Sequence, residues 1–155
     1  MSTVDPQKLI RDKRLLYLPF YERVLNAMTD FISESKTHIL LHETYRHPER
    51  QKWLYEQGRT RAGKIVTNKE TESMHVAGLA VDVIGDKNPQ KAGLQDPYNL
   101  DWPLFGQIAQ NHGLRWGGQW GDMVHVEWKF ADSAAKAEFW NLYRKYGVLA
   151  AWEIL

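Results

Sequence analysis

The chain has 155 residues, the usual size of one globular domain, and its 43% hydrophobic residues, seven of them Trp, can fill a core. Its 20 basic and 19 acidic side chains nearly cancel, so charge does not favour nucleic acid or an anionic membrane as partner. Cysteine is absent, which excludes disulfides, thiolate catalysis and cysteine-ligated zinc, and leaves His, Asp and Glu as metal ligands. We expect one domain spanning residues 1–155.

The N-terminal segment predicts no export signal. Its charged residues leave no apolar run long enough for a secretory core, and no stretch of the chain approaches the length needed to span a bilayer. We therefore expect synthesis in the cytoplasm without a signal peptide. Asp5 and Pro6 favour a short opening helix that ends near Lys13.

The first half of the chain alternates helical and strand patterns. Apolar residues recur at helical spacing from 19 to about 35, and the β-rich segment 38–44 predicts a buried strand. A helix from 49 to about 56 is expected to turn Trp53 and Leu54 inward. The polar stretch that follows, up to His75, has no clear periodicity and predicts a loop over a site.

The second half predicts a strand, a loop, a helix, a turn, a strand and a final helix. In chain order these occupy 78–84, 85–101, 102–111, 113–122, 124–128 and 133–146, with Ser133 as the cap of the last helix. The segment 113–122 is rich in glycine and is predicted as a turn. Helices mixed with short strands, without regular βαβ alternation, favour an α+β fold with a small antiparallel sheet.

Two clusters combine metal-ligand residue types with predicted strands. Catalytic zinc takes three protein ligands from His and carboxylates and leaves a position for water. The first cluster contains His75 and Asp82, and the second contains His125. Asp122, following Gly121 in a turn, is the candidate base for metal-assisted hydrolysis.

A further strand end offers Arg46, whose fixed charge could bind a substrate carboxylate or stabilise an oxyanion. Trp120 is predicted as a substrate contact, and Trp128 as core packing. Glu127 is expected to hold a ligand histidine from behind rather than to ligate.

Each of these residues also has an ordinary structural interpretation. A single histidine is more often structural or exposed than a ligand, which is our interpretation of His38, His42, His47 and His112. Asp122 taken alone fits a turn residue, and Arg46 taken alone fits a surface ion pair with Glu43 or Glu49.

The two clusters together resemble the M15 family of metallopeptidases. The pattern S-x-H-x-x-G-x-A-x-D is complete at residues 73–82, and an acidic residue followed three positions later by H-x-E-W occurs at 122–128. The family includes D-Ala-D-Ala carboxypeptidases, VanY- and VanX-like enzymes, and phage L-alanyl-D-glutamate endopeptidases. The stretch GRT-x-x-GK-x-VT resembles the endopeptidase branch.

The resemblance implies zinc held by His75, Asp82 and His125, with Asp122 as the base. It also implies that Arg46, Gln51 and Ser73 bind substrate, and that the fold is the one shared with the Hedgehog signalling domain. These are the residues that we carry forward as the predicted site.

The expected function is endopeptidase cleavage of the L-Ala-D-Glu bond of peptidoglycan stem peptides by a monomeric, endolysin-type enzyme acting on the cell wall. A D-Ala-D-Ala carboxypeptidase is the second possibility, and it would need a pocket closed against the C-terminus of its substrate. A zinc-bearing wall-binding module without activity is the third, although such a module has no need for a base at Asp122.

Overall fold

The computed structural model describes residues 15–87 and 96–155. The predicted opening helix and residues 88–95 of the predicted loop lie outside this part of the chain. The helices are α1 Leu18–Ser35, α2 Pro48–Glu56, α3 Trp102–Asn111, α4 Ser133–Tyr146 and α5 Val148–Trp152. The strands are β1 Ile39–Glu43, β2 Ala80–Gly85, β3 Leu114–Trp116 and β4 His125–Trp128.

The four strands form one antiparallel sheet in the order β1-β2-β4-β3. The two central strands, β2 and β4, are paired so that Asp82 lies opposite His125 and Ala80 lies opposite Glu127. Strands β1 and β3 form the two edges. The predicted α+β fold with a small antiparallel sheet is confirmed.

The core lies between the sheet and the long helix α1. Phe20, Val24 and Phe31 occupy one face of α1 and are almost fully buried. The ring of Phe31 meets the edge of the Phe105 ring on α3, with centroids 5.6 Å apart, which fixes α3 against α1. No helix among the described residues is both long and apolar enough to cross a membrane.

Several local predictions need correction. The glycine-rich segment predicted as a turn contains β3 and a short 3-10 helix, Gly117–Trp120. The N-cap of α4 is Asp132 rather than Ser133, because the Asp132 carboxylate accepts the Ala135 N–H at 2.8 Å. On α2 the buried side chains are those of Arg50 and Gln51, whereas the predicted Trp53 and Leu54 are only half-buried.

Gly78 is the tightest backbone position near the predicted ligands. It has a left-handed φ of 67°, and a Cβ there would collide with the Leu15 carbonyl oxygen and the Trp152 ring. Its N–H donates to the His75 carbonyl at 3.2 Å, closing the turn that carries this histidine. A side chain at this position is therefore excluded both by backbone conformation and by space.

We predict that Gly78→Ala lowers the free energy of unfolding by about 3 kcal/mol, which combines left-handed strain with overpacking. The control is Gly121→Ala, where φ is 88° but no atom lies within 4 Å of the added Cβ. That change should cost only about 1 kcal/mol. Urea denaturation measures both, and equal losses would contradict the packing argument.

Candidate metal centre and substrate cleft

Three side chains converge where the central strands meet the turn before β2. His75 comes from that turn, Asp82 from β2 and His125 from β4. Asp82 Oδ1 lies 3.4 Å from His75 Nε2 and 3.2 Å from His125 Nδ1. One potential ligand atom from each residue lies within 4.8 Å of the other two.

This geometry and donor set suit zinc. Tetrahedral zinc bound by nitrogen and oxygen at about 2.0–2.1 Å separates its ligand atoms by about 3.3 Å. The separations of 3.2 and 3.4 Å from Asp82 to the two histidines match that value. His75, Asp82 and His125 are thus the residues that would hold the ion.

The nitrogens that face away from this group are already bonded. His75 Nδ1 donates to the Thr44 carbonyl oxygen at 3.0 Å, and His125 Nε2 donates to Glu127 Oε2 at 2.8 Å. In the neutral ring, which is the form that binds a metal, each bond leaves the lone pair on the opposite nitrogen. Glu127 in turn accepts from Arg115 Nη1 at 3.0 Å.

The electrostatics of the group favour positive charge at its centre. Burial alone would raise the pKa of Asp82, but the charge of His75 and hydrogen bonds with both histidines hold that pKa well below its usual range. Burial alone would lower the pKa of His125, but its hydrogen bonds with Asp82 and Glu127 raise it to about 9. The carboxylates that stabilise positive charge on the histidines would also stabilise a divalent cation bound between them.

Asp122 lies beside the group without belonging to it. Gly121, with its left-handed φ of 88°, turns the chain after the 3-10 helix and leaves Asp122 outside β4. Its Oδ2 is 3.9 Å from His125 Nδ1, and its side chain is half exposed to the cleft. Burial raises its pKa despite the opposing charge of His125, which increases its affinity for a proton.

Arg46 is a buried cation at the β1 side of the centre. Its backbone N–H donates to the His75 carbonyl at 3.1 Å, which ties the end of β1 to the ligand turn. Its Nη1 donates to Gln51 Oε1 at 2.7 Å. Burial lowers its pKa, although the neighbouring carboxylates, among them Asp82 and Asp122, oppose that shift.

Gln51, predicted to bind substrate, is fully buried and does not line the cleft. Besides accepting from Arg46, it donates through Nε2 to the Thr67 hydroxyl and to the Lys69 carbonyl. It therefore joins Arg46 to the loop before the ligand turn. A direct contact with substrate stays a prediction.

The centre opens into a cleft of about 1110 Å³. Ser73 and Trp120 both line it, and their contact with substrate stays a prediction. Ser73 Oγ accepts the His75 N–H at 3.3 Å, so this hydroxyl also supports the ligand turn. Trp120 is 45% exposed, and its ring centroid lies 6.0 Å from that of His125. The Arg115 guanidinium lies over the same Trp120 ring, 4.4 Å from its centroid.

Sequence reasoning selected the residues that converge here but missed some of their supports. The Thr44 carbonyl that orients His75 is a backbone group and leaves no signal in the sequence. Arg50 forms a buried ion pair with Glu43 at 2.6 Å in the wall of the cleft. From the sequence, Glu43 is considered only as a possible partner of Arg46, beside Glu49. Two opposite charges seven residues apart, in a strand and the next helix, are too common to identify such a pair.

Three comparisons place these features among known proteins. A peptidase M15 family model described as D-alanyl-D-alanine carboxypeptidase matches residues 67–128, which contain the three candidate ligands and Asp122. The chain is 30% identical over 119 residues to the peptidoglycan L-alanyl-D-glutamate endopeptidase CwlK of Bacillus subtilis (strain 168), covering 70% of this chain and 71% of that protein.

The fold is similar to that of the Serratia marcescens L-Ala D-Glu endopeptidase ChiX. That crystal structure superposes with a TM-score of 0.52 at 15% identity, covering 94% of this chain and 92% of the other. The extent of the match to CwlK, together with the family model over the site, shows that the chain belongs to the M15 family of peptidases.

Proposed function

We propose that this peptidase is a zinc-dependent endopeptidase that cleaves the L-Ala-D-Glu bond of peptidoglycan stem peptides. The observation that carries the proposal is the His75, Asp82 and His125 group with the separate carboxylate of Asp122 beside it. The choice of bond is supported by the similarity to CwlK and ChiX, which are both L-Ala-D-Glu endopeptidases.

The proposed chemistry divides the work between the ion and the side chains around it. Zinc held by His75, Asp82 and His125 would polarise the scissile carbonyl and acidify the attacking water. Asp122 accepts the proton of that water and later delivers it to the leaving amine. Arg46 stabilises negative charge on the substrate, either a carboxylate or the developing oxyanion.

The shape of the cleft favours an endopeptidase over a D-Ala-D-Ala carboxypeptidase, the activity in the description of the family model. The cleft continues past the ligand group on both sides, toward Thr67 and Arg46 on one side and toward Arg115 and Lys136 on the other. A peptide that extends in both directions fits such a cleft. A carboxypeptidase needs a wall that stops the chain just after the scissile bond.

We further propose an endolysin-type, bacteriolytic role for a phage enzyme, with residues 1–155 as a single, monomeric catalytic domain and the cell wall as its place of action. The resemblance of the GRT-x-x-GK-x-VT stretch to the phage endopeptidase branch supports this role. Loss of turbidity of whole cells and of isolated cell walls, each measured with added protein, tests it.

Chelation should abolish peptidoglycan cleavage, and added zinc should restore it, because His75, Asp82 and His125 converge on one ion. Metal analysis should find about one zinc per chain in the wild type. The variant His125→Ala should lose that zinc. Full activity in a protein shown to be free of metal would contradict the assignment.

Asp122→Asn should retain zinc but lose about 10²–10⁴-fold in kcat, because the amide cannot accept the proton of water. Its similar shape keeps the turn after Gly121 intact. Zinc content and kcat are measured on the same preparation. An unchanged kcat would remove Asp122 from the mechanism.

The bond itself is identified by mass spectrometry of purified peptidoglycan digested with the wild type or with His125→Ala. New L-alanine C-termini and D-glutamate N-termini, seen only with the wild type, are the expected result. Release of terminal D-alanine would instead establish the carboxypeptidase. Absence of any cleavage by zinc-loaded protein would contradict both and favour a wall-binding module.

A further inference from the structure

A second cavity adjoins the cleft at the β3 edge of the sheet. It measures about 250 Å³ and shares four lining residues with the main cleft: Arg115, Glu127, Ser133 and Lys136. The sheet order places this cavity on the opposite side of the ligand group from Arg46, which follows the other edge strand. The open space of the cleft therefore extends beyond the three candidate ligands, on the side away from Arg46.

The charged groups of this second cavity are the cations Arg115, Lys129 and Lys136 and the carboxylates Glu127 and Asp132. Both carboxylates are already bonded within the protein. Glu127 accepts from His125 and Arg115, and Asp132 caps the first turn of α4. Each carboxylate thus already has a partner in the folded protein.

Lys136 is the cation that lines both cavities without such a bond, whereas Lys129 lines only the second cavity and is exposed. Lys136 lies in the first turns of α4, and its side chain is half-buried. Within the described parts of the chain, its ammonium group has no hydrogen bond or ion pair. Arg115, by contrast, is bonded to Glu127 and stacked on Trp120.

We propose that Lys136 forms a second anion subsite that binds a carboxylate of the peptide substrate, on the side of the centre away from Arg46. This inference rests on the proposed peptidase function and adds a specificity residue to it. The Lys136 ammonium gains a charge-assisted hydrogen bond when a carboxylate enters the cleft.

The spacing of the sheet indicates which substrates can reach both cations. Strands β1 and β3 are separated by three strand intervals, or roughly 14 Å. An extended peptide covers that distance in about four residues. The favoured ligand is therefore an extended peptide long enough to lie along the cleft from the Arg46 side to the Lys136 side, with a carboxylate at the Lys136 end.

The test uses a stem peptide and a series in which each of its carboxylates in turn is replaced by a carboxamide. With the wild type, one member of the series should show a kcat/KM about tenfold below that of the parent peptide. Lys136→Gln should lose about tenfold on every peptide except that member, and Lys136→Arg should keep the wild-type pattern. Lys145→Gln, an exposed lysine in the last turn of the same helix, is the matched control and should change nothing.

Binding of the same peptides to zinc-loaded Asp122→Asn protein, by calorimetry, separates the two proposals. If the wild type cleaves the peptides, and Lys136→Gln either keeps the wild-type kcat/KM or loses it equally on all of them, the subsite is overturned. The endopeptidase proposal then stands. If the wild type cleaves none of the peptides, the proposed reaction is overturned. The subsite is still supported if binding prefers one carboxylate and adding Lys136→Gln removes that preference. Neither cleavage nor binding would overturn both.

Discussion

The register between β2 and β4 is the constraint on which the candidate centre depends. Asp82 lies directly opposite His125 only because the two central strands pair in this register. Side chains alternate between the faces of a strand, so a slip of one residue would turn one of these ligands to the other face. The almost fully buried side chains of Val81 and Val126, which lie opposite each other in the next pair, oppose such a slip.

From this pairing, a line of polar contacts crosses the whole sheet. It joins the chain just after β1 to β3 at the far edge, with one contact between each group and the next. In order it runs through the Thr44 carbonyl, His75, Asp82, His125, Glu127 and Arg115. Because the line joins groups on β2, β3 and β4 with the ligand turn and the chain after β1, the donor atoms are positioned by the sheet as a whole.

The sequence predicts those parts of the molecule that rest on residue type and periodicity. Helix α1 follows from its apolar spacing, and the ligand residues follow from two motifs whose chemistry is restrictive. Strand β3 did not follow, because three residues before a pair of glycines become a strand only by pairing with β4. The burial of Gln51 and the unpaired ammonium of Lys136 depend on which neighbours the folded chain supplies, and a local pattern carries no information about that.

The close packing of α5 against the ligand turn links the C-terminal helix to the centre. Trp152 Nε1 donates to the Ala77 carbonyl at 2.7 Å, and its ring lies over Gly78, just after His75. Local opening of α5 would remove the support of that turn. Any ion or peptide that binds only the ordered turn must therefore slow amide hydrogen exchange in α5, a helix that contributes none of the candidate ligands.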